Sequence, residues 1–214
     1  MKSIHRAGLA LMAGLSAAPL LVHPMAAAAQ EEPSMHDEDQ VARTTVTGEG
    51  AQLEVAFDPD GDRLAVRYRI SNTSGLPLAV FDRGDHHAVL TGRLAAGDVP
   101  SPSIMQEAGG MVLSHAAHAL PQPSPTLPPV PLAAKLDPGG SLDGAFDFDL
   151  SLIEGPRRVR WCLGVLPFDG AAFQATRGSG DVAVWSGPFE AADSQQLLCT
   201  PWFDVPAGAF EGGE

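Results

Sequence analysis

The sequence predicts an all-β fold, an antiparallel β-sandwich of about nine or ten short strands. Three observations predict it. From about residue 43 onward, apolar and polar residues alternate with period two. The alternating runs are short and are separated by clusters of Asp, Gly, Asn, Ser and Pro. No stretch of the same region carries the spacing of an amphipathic helix. Period-two runs punctuated by turn residues place one face of each strand on a core and the other in water.

Ahead of the strands, residues 1–29 read as a cleavable secretory signal peptide. Lys2 and Arg6 supply the positive start, residues 7–22 are apolar apart from Ser16, and Ala27-Ala28-Ala29 is a small-residue cleavage site. The cut is expected between Ala29 and Gln30. The apolar run, about 16 residues, falls short of the ~20 that span a bilayer as a helix. No membrane insertion is therefore expected after cleavage, and no cysteine near the junction is available to carry a lipid. The expected location is periplasmic or secreted. Residues 30–42 are polar and acidic without periodicity and read as a flexible acidic leader. Residues 43–206 read as one β-sandwich domain, and residues 207–214 as a flexible C-terminal tail.

Within the domain, Leu53, Val55 and Phe57 alternate with Gln52, Glu54 and Ala56, and Leu64, Val66, Tyr68 and Ile70 alternate with Arg63, Ala65, Arg67 and Arg69. Asp58-Pro59-Asp60-Gly61-Asp62 between them is a turn signal, so the pair is a hairpin. Asn72-Thr73-Ser74 fits a glycosylation triplet, yet its place between two strands reads as a turn. Residues 76–81 return as a strand, and residues 88–94 read as a further short strand. The stretch 63–81 (RLAVRYRISNTSGLPLAVF) resembles the opening hairpins of exported bacterial immunoglobulin-like domains. The resemblance implies an immunoglobulin-like sandwich and carries no function.

Residues 95–140 hold most of the prolines and read as a long Pro-rich crossover on the surface, extended like polyproline, with a short strand at 110–115. Leu136-Asp137-Pro138-Gly139-Gly140 is a tight turn. Residues 142–150 alternate again, with Leu142, Gly144, Phe146 and Phe148 on one face. In residues 157–165, Val159, Trp161 and Leu163 share the core face while Arg158, Arg160 and Cys162 point the other way. Residues 181–186 and 196–200 supply the last strands.

Cys162 and Cys199 are the only cysteines of the chain. In an oxidising compartment an isolated pair is a disulfide. Since Trp161 takes the core face, the bridge should fasten the outer face of its strand to the C-terminal segment, unlike the core-crossing bridge of antibody domains.

Charge limits the partners. Once Lys2 and Arg6 are removed, 11 basic residues face 26 acidic ones, which repels phosphate backbones and anionic membranes. No nucleic acid is expected; the partner is a protein or a small ligand.

Candidate chemistry centres on histidine. His86, His87, His115 and His118, with Met105 and Met111 near the second pair, are donor types suited to copper or zinc. The Asp58-x-Asp60-x-Asp62 run fails as an EF-hand, because Arg63 and Arg69 stand where glycine and glutamate are required. No G-x-S-x-G, H-E-x-x-H or G-x-x-x-x-G-K-[ST] is present, and Ser114-His115 are merely adjacent. Trp185, Trp202 and Phe203 are candidate contact aromatics, or covers for an open end of the sandwich. The expected function is a non-catalytic binding or accessory module of the cell envelope. A periplasmic copper- or zinc-binding protein is the second reading, and an enzyme of unassigned class the third.

Overall fold

A computed structural model describes residues 41–107, 109–120, 122–126, 128–152, 157–176 and 182–212. The signal peptide, its Ala29–Gln30 junction and nearly all of the acidic leader lie outside the described residues. In chain order the elements are β1 (Ala42–Gly48), β2 (Ala51–Asp60), β3 (Arg63–Asn72), β4 (Leu78–Val80), α1 (His86–Leu90), β5 (Ser103–Glu107), β6 (Gly110–His115), β7 (Leu132–Leu136) and β8 (Ser141–Asp149). A 3-10 turn, β9 (Arg158–Pro167), β10 (Gln174–Ala175), β11 (Val184–Ser186), α2 (Ala191–Ser194), β12 (Gln196–Cys199), β13 (Phe203–Asp204) and β14 (Ala209–Phe210) complete them.

They form a sandwich. One sheet has the order β1-β2-β3-β8 and is antiparallel throughout. The other runs β10-β11-β7-β4-β9-β13-β14, with β12 and β6 also paired to β9, and β5 to β6. The predicted hairpin is β2–β3, with Val55 opposite Tyr68 and Phe57 opposite Val66. Its two-residue turn places Gly61 at φ +59°, a conformation that costs glycine nothing. The side chains that alternate inward are buried, and Phe146 and Phe148 of β8 join them. The outward set of this sheet carries cross-strand ion pairs between Arg63 and Asp147, Arg67 and Asp58, and Arg69 and Asp143. These lie in water and add little energy, but they disfavour a slip of register.

The core joins both sheets around Trp161, Phe57 and Phe203, all fully buried. Trp161 lies 4.7 Å from Tyr68 and 5.4 Å from Phe146, ring centre to ring centre. The sandwich is the observed fold. The immunoglobulin-like refinement expected from residues 63–81 is not shown by the strand order, in which β6 runs parallel to β9.

The disulfide joins Cys162 of β9 to Cys199 of β12 at directly paired positions, within one sheet, and no free cysteine remains. Cys162 points away from the core as the alternation requires, although it is only 2% exposed. That outer face is roofed rather than open. Ala79, Phe81, Ala133, Phe173 and Ala191 pack into a second small apolar layer on the same sheet.

Three sequence expectations are corrected. Residues 88–94 are not a strand: Asp85 caps a helix there, its carboxylate accepting the Ala88 N–H at 2.9 Å. The 95–140 segment is not one surface crossover: the expected strand at 110–115 is present as β6 but lies buried beside β9, and β5 and β7 also fall within the segment. Between β6 and β7, residues 122–126 are exposed and carry no strand. The C-terminal tail is folded through Phe210, because Gly208 at φ +64° lets β14 turn back on β13 and bring the Phe210 ring to 4.9 Å from Phe57. The domain therefore extends past residue 206 and begins with β1 at Ala42. Asn72 serves the turn, its side chain bonding Leu76 O, Leu136 O and the Ser74 N–H.

Among the described residues no helix is long and apolar enough to cross a membrane.

Candidate functional site

Two strands share one edge of β9. β4 pairs antiparallel with its C-terminal half, from Leu78 opposite Pro167 to Val80 opposite Val165. β6 pairs parallel with its N-terminal half, from Met111 opposite Val159 to His115 opposite Leu163. Opposite directions along one edge mean that the two strands run head-on toward Gly164. Neither can continue, so both leave the sheet there. The Phe81 N–H makes the last bond, to Gly164 O at 3.0 Å. A Cβ on Gly164 would stand 2.2 Å from Gln195 Oε1 and 3.1 Å from Ala116 Cα, so only glycine permits this close meeting.

Where the two chains diverge a cleft opens, with a volume of about 330 Å³. Phe81, Ala88, Leu94, Pro100, Ala116, Pro129 and Pro131 form its apolar lining. Arg93, Ser101, Ser103, Ser114, His118 and Asp85 supply the polar groups, and the His115 ring borders it. A mostly apolar cleft of this size with a few converging polar groups has the character of a small-molecule site.

Each wall is fixed by identifiable contacts. The exit of β4 passes through Asp82 and Arg83, both buried and paired to each other. The Tyr68 hydroxyl donates to Asp82 Oδ2 at 2.6 Å and so ties this wall to the opposite sheet. Burial pushes the Asp82 carboxyl above its ordinary range, against the lowering effects of Arg83 and Tyr68. Burial, and then the adjacent carboxylate, pushes the Tyr68 hydroxyl up. Tyr68 needs room at its tip: a Cβ on Gly144 of β8 would lie 2.2 Å from its ring end.

Beyond Arg83 the chain is pinned to the segment before β7, with His86 N–H donating to Val130 O and Leu132 N–H to Gly84 O. Gly84 has φ +74°, and a Cβ there would strike Leu94 at 2.6 Å. α1 then ends in a Schellman motif. The Gly92 N–H bonds Val89 O, the Arg93 N–H bonds Ala88 O, and Gly92 sits at φ +70°. This turn swings Arg93 and Leu94 back over the cleft.

The exit of β6 is held by His115 and Gln195. His115 is 3% exposed; its Nδ1 accepts the Trp161 Nε1–H at 2.9 Å, and its Nε2–H donates to Pro100 O at 2.9 Å. The Gln195 side chain accepts from Ala117 N–H and donates to Ala117 O. His118 stands exposed at the rim, its Nε2 3.0 Å from Ser103 Oγ.

Comparison with known proteins finds no match: no family model, no curated protein and no solved structure resembles the chain. The site therefore rests on its own geometry.

That geometry separates the four predicted histidines. His86 and His87 lie on α1 outside the cleft lining, while His115 and His118 line it. Among the described residues no three of His, Cys, Asp and Glu gather as a metal-ligand set. The expected four-histidine centre is corrected on this ground, since both nitrogens of His115 are spent on Trp161 and Pro100. Met111 is a core residue and Met105 is exposed. Among the aromatics, Phe203 is core, and Trp202 is held between the guanidinium groups of Arg158 and Arg160.

Arg93, Ser103, Phe81 and Leu94 were not found from the sequence. For Arg93 and Leu94 the signal is the spacing Asp85…Gly92, an N-cap and a C′ glycine bracketing the short helix just ahead of them.

His115 gives the domain a pH dependence. Burial pushes its imidazole down to about 4, offset in part by the bond to Pro100 and reinforced by the charge of Arg83. The unfolded chain takes up this proton below about 6.5 and the native state does not. Stability is therefore fully present above pH 6.5 and falls as the pH drops toward 4, by roughly 3 kcal/mol. Asp82, with its raised pKa, acts in the opposite sense once the pH falls below its native value. Urea unfolding of wild type at pH 7 and pH 4.5 is expected to show the loss, and H115Q a shallower slope between the same two points. An equal slope in both proteins would remove His115 as its cause.

Proposed function

We propose that this protein is an exported, non-catalytic binding domain of the cell envelope, periplasmic or secreted, whose ligand is a small molecule seated in the cleft at Gly164. The observation that supports this is the pairing of an apolar lining with walls held rigid from below. Tyr68–Asp82 fixes one wall and Trp161–His115–Pro100 the other. A site whose walls need little ordering loses little affinity to conformational entropy. The signal-peptide pattern of residues 1–29 and the single disulfide support export.

The test uses the neutral apolar fluorophore N-phenyl-1-naphthylamine. Wild type is expected to enhance its fluorescence saturably. Ala88→Trp and Ser114→Trp, filling the cleft from opposite walls, are each expected to abolish the enhancement while the domain remains folded by circular dichroism. Saturable binding that survives both substitutions, or no binding to wild type, would overturn the assignment.

A further inference from the structure

We infer that the ligand of the cleft is an organic anion with a compact apolar body, its negative head held by Arg93; this rests on the cleft being the ligand site. The chain is strongly acidic, and nearly every basic side chain described has found a carboxylate. Arg63, Arg67, Arg69, Arg83, Lys135, Arg157, Arg158 and Arg160 all stand in ion pairs. Arg93 has no ion-pair partner among the described residues, yet it borders the cleft. Arg43 is the other described cation without one; it lies on β1 of the other sheet, in a shallow pocket whose lining also holds the carboxylates of Glu54 and Asp143.

The position of Arg93 is built rather than accidental. The Schellman turn at Gly92 directs the backbone, and the Arg93 Nε–H donates to Thr91 Oγ1 at 3.1 Å. That bond uses one nitrogen and leaves the two terminal ones to receive an anion as a fork. The one carboxylate in the same wall, Asp85, spends Oδ1 on the Ala88 N–H as the helix cap. Ser101 lies in the same lining and offers a neutral hydroxyl to the same head, while the Ser103 hydroxyl is spent on Ser114 O. Phe81, Leu94, Pro100 and Pro131 then face the apolar body.

The test holds the body constant and changes the head: 3-phenylpropionate, its neutral amide, and 3-phenylpropylamine, each measured by calorimetry and ligand-observed NMR against the folded mature domain. A charge-assisted bond at an exposed arginine corresponds to about tenfold in affinity. The anion is expected to bind about tenfold more tightly than the amide, and the amine most weakly. Arg93→Gln is expected to bring the anion down to the level of the amide and leave the amide unchanged. Raising the salt concentration should weaken only the anion.

If the amide equals the anion, if the amine binds best, or if Arg93→Gln leaves the anion unaffected, the anion assignment falls. The cleft assignment then survives, provided that Ser114→Trp still removes amide binding. If none of the three binds wild type and the fluorophore is also silent, both fall together.

Discussion

Truncation of Trp161 to alanine is expected to destabilise the domain by about 5 kcal/mol. Deleting a large buried aromatic costs about 3–5 kcal/mol through lost transfer energy and the cavity left behind. Trp161 is fully buried and packs against Tyr68, Phe146 and His115. The truncation also orphans His115 Nδ1, a buried acceptor whose abandonment costs roughly 1–3 kcal/mol. Trp161→Phe separates the two contributions. It keeps much of the packing and loses the N–H, so a loss of about 1–3 kcal/mol is expected. Urea denaturation at pH 7 measures both, and a small effect in the alanine variant would mean that the centre of the sandwich is not where it is placed here. Because single domains are stable by only about 5–15 kcal/mol, a loss of this size removes about a third or more of the total.

Removal of the Cys162–Cys199 bridge is expected to cost about 4 kcal/mol. The two residues are separated by 37 positions. In the chain-entropy model, opening a loop of that length frees the unfolded chain by roughly this amount. The native state itself should change little. β9 and β12 remain paired from Gln196 to Cys199, and the Thr200 N–H still donates to Trp161 O. Cys162→Ala/Cys199→Ala should therefore show a lowered urea midpoint with the near-ultraviolet signature of Trp161 retained. Loss of that signature under native conditions would show that the bridge shapes the fold and does not only restrict the unfolded chain.

The alternating strands were legible because a half-buried strand writes its two faces into the chain residue by residue. β2, β3, β8 and β9 were found with their core faces correct, and so was the outward direction of Cys162. The failures share a cause. Residues 88–94 show no helical period because a five-residue helix is too short to carry one, and its caps Asp85 and Gly92 hold the signal instead. β5 and β7 were submerged in a Pro-rich composition, although their own residues contain no proline. The C-terminal hairpin was missed because two-residue strands have no pattern, and Phe210 is ordered by a distant partner, Phe57.

From the sequence alone came the all-β class, the central hairpin, the inward face of Trp161, the disulfide pairing and the acidic surface. All of these follow from local alternation, composition or the count of cysteines. The cleft did not follow from any of them. It exists because β4 and β6 approach along the same edge of β9 in opposite directions and must part at Gly164. Strand direction and neighbour choice are relations between segments far apart in the chain, and no local period records them. For the same reason only the tertiary structure took His115 out of the histidine group and made it the partner of Trp161. It also left Arg93, unremarkable in the sequence, as the cation of the cleft.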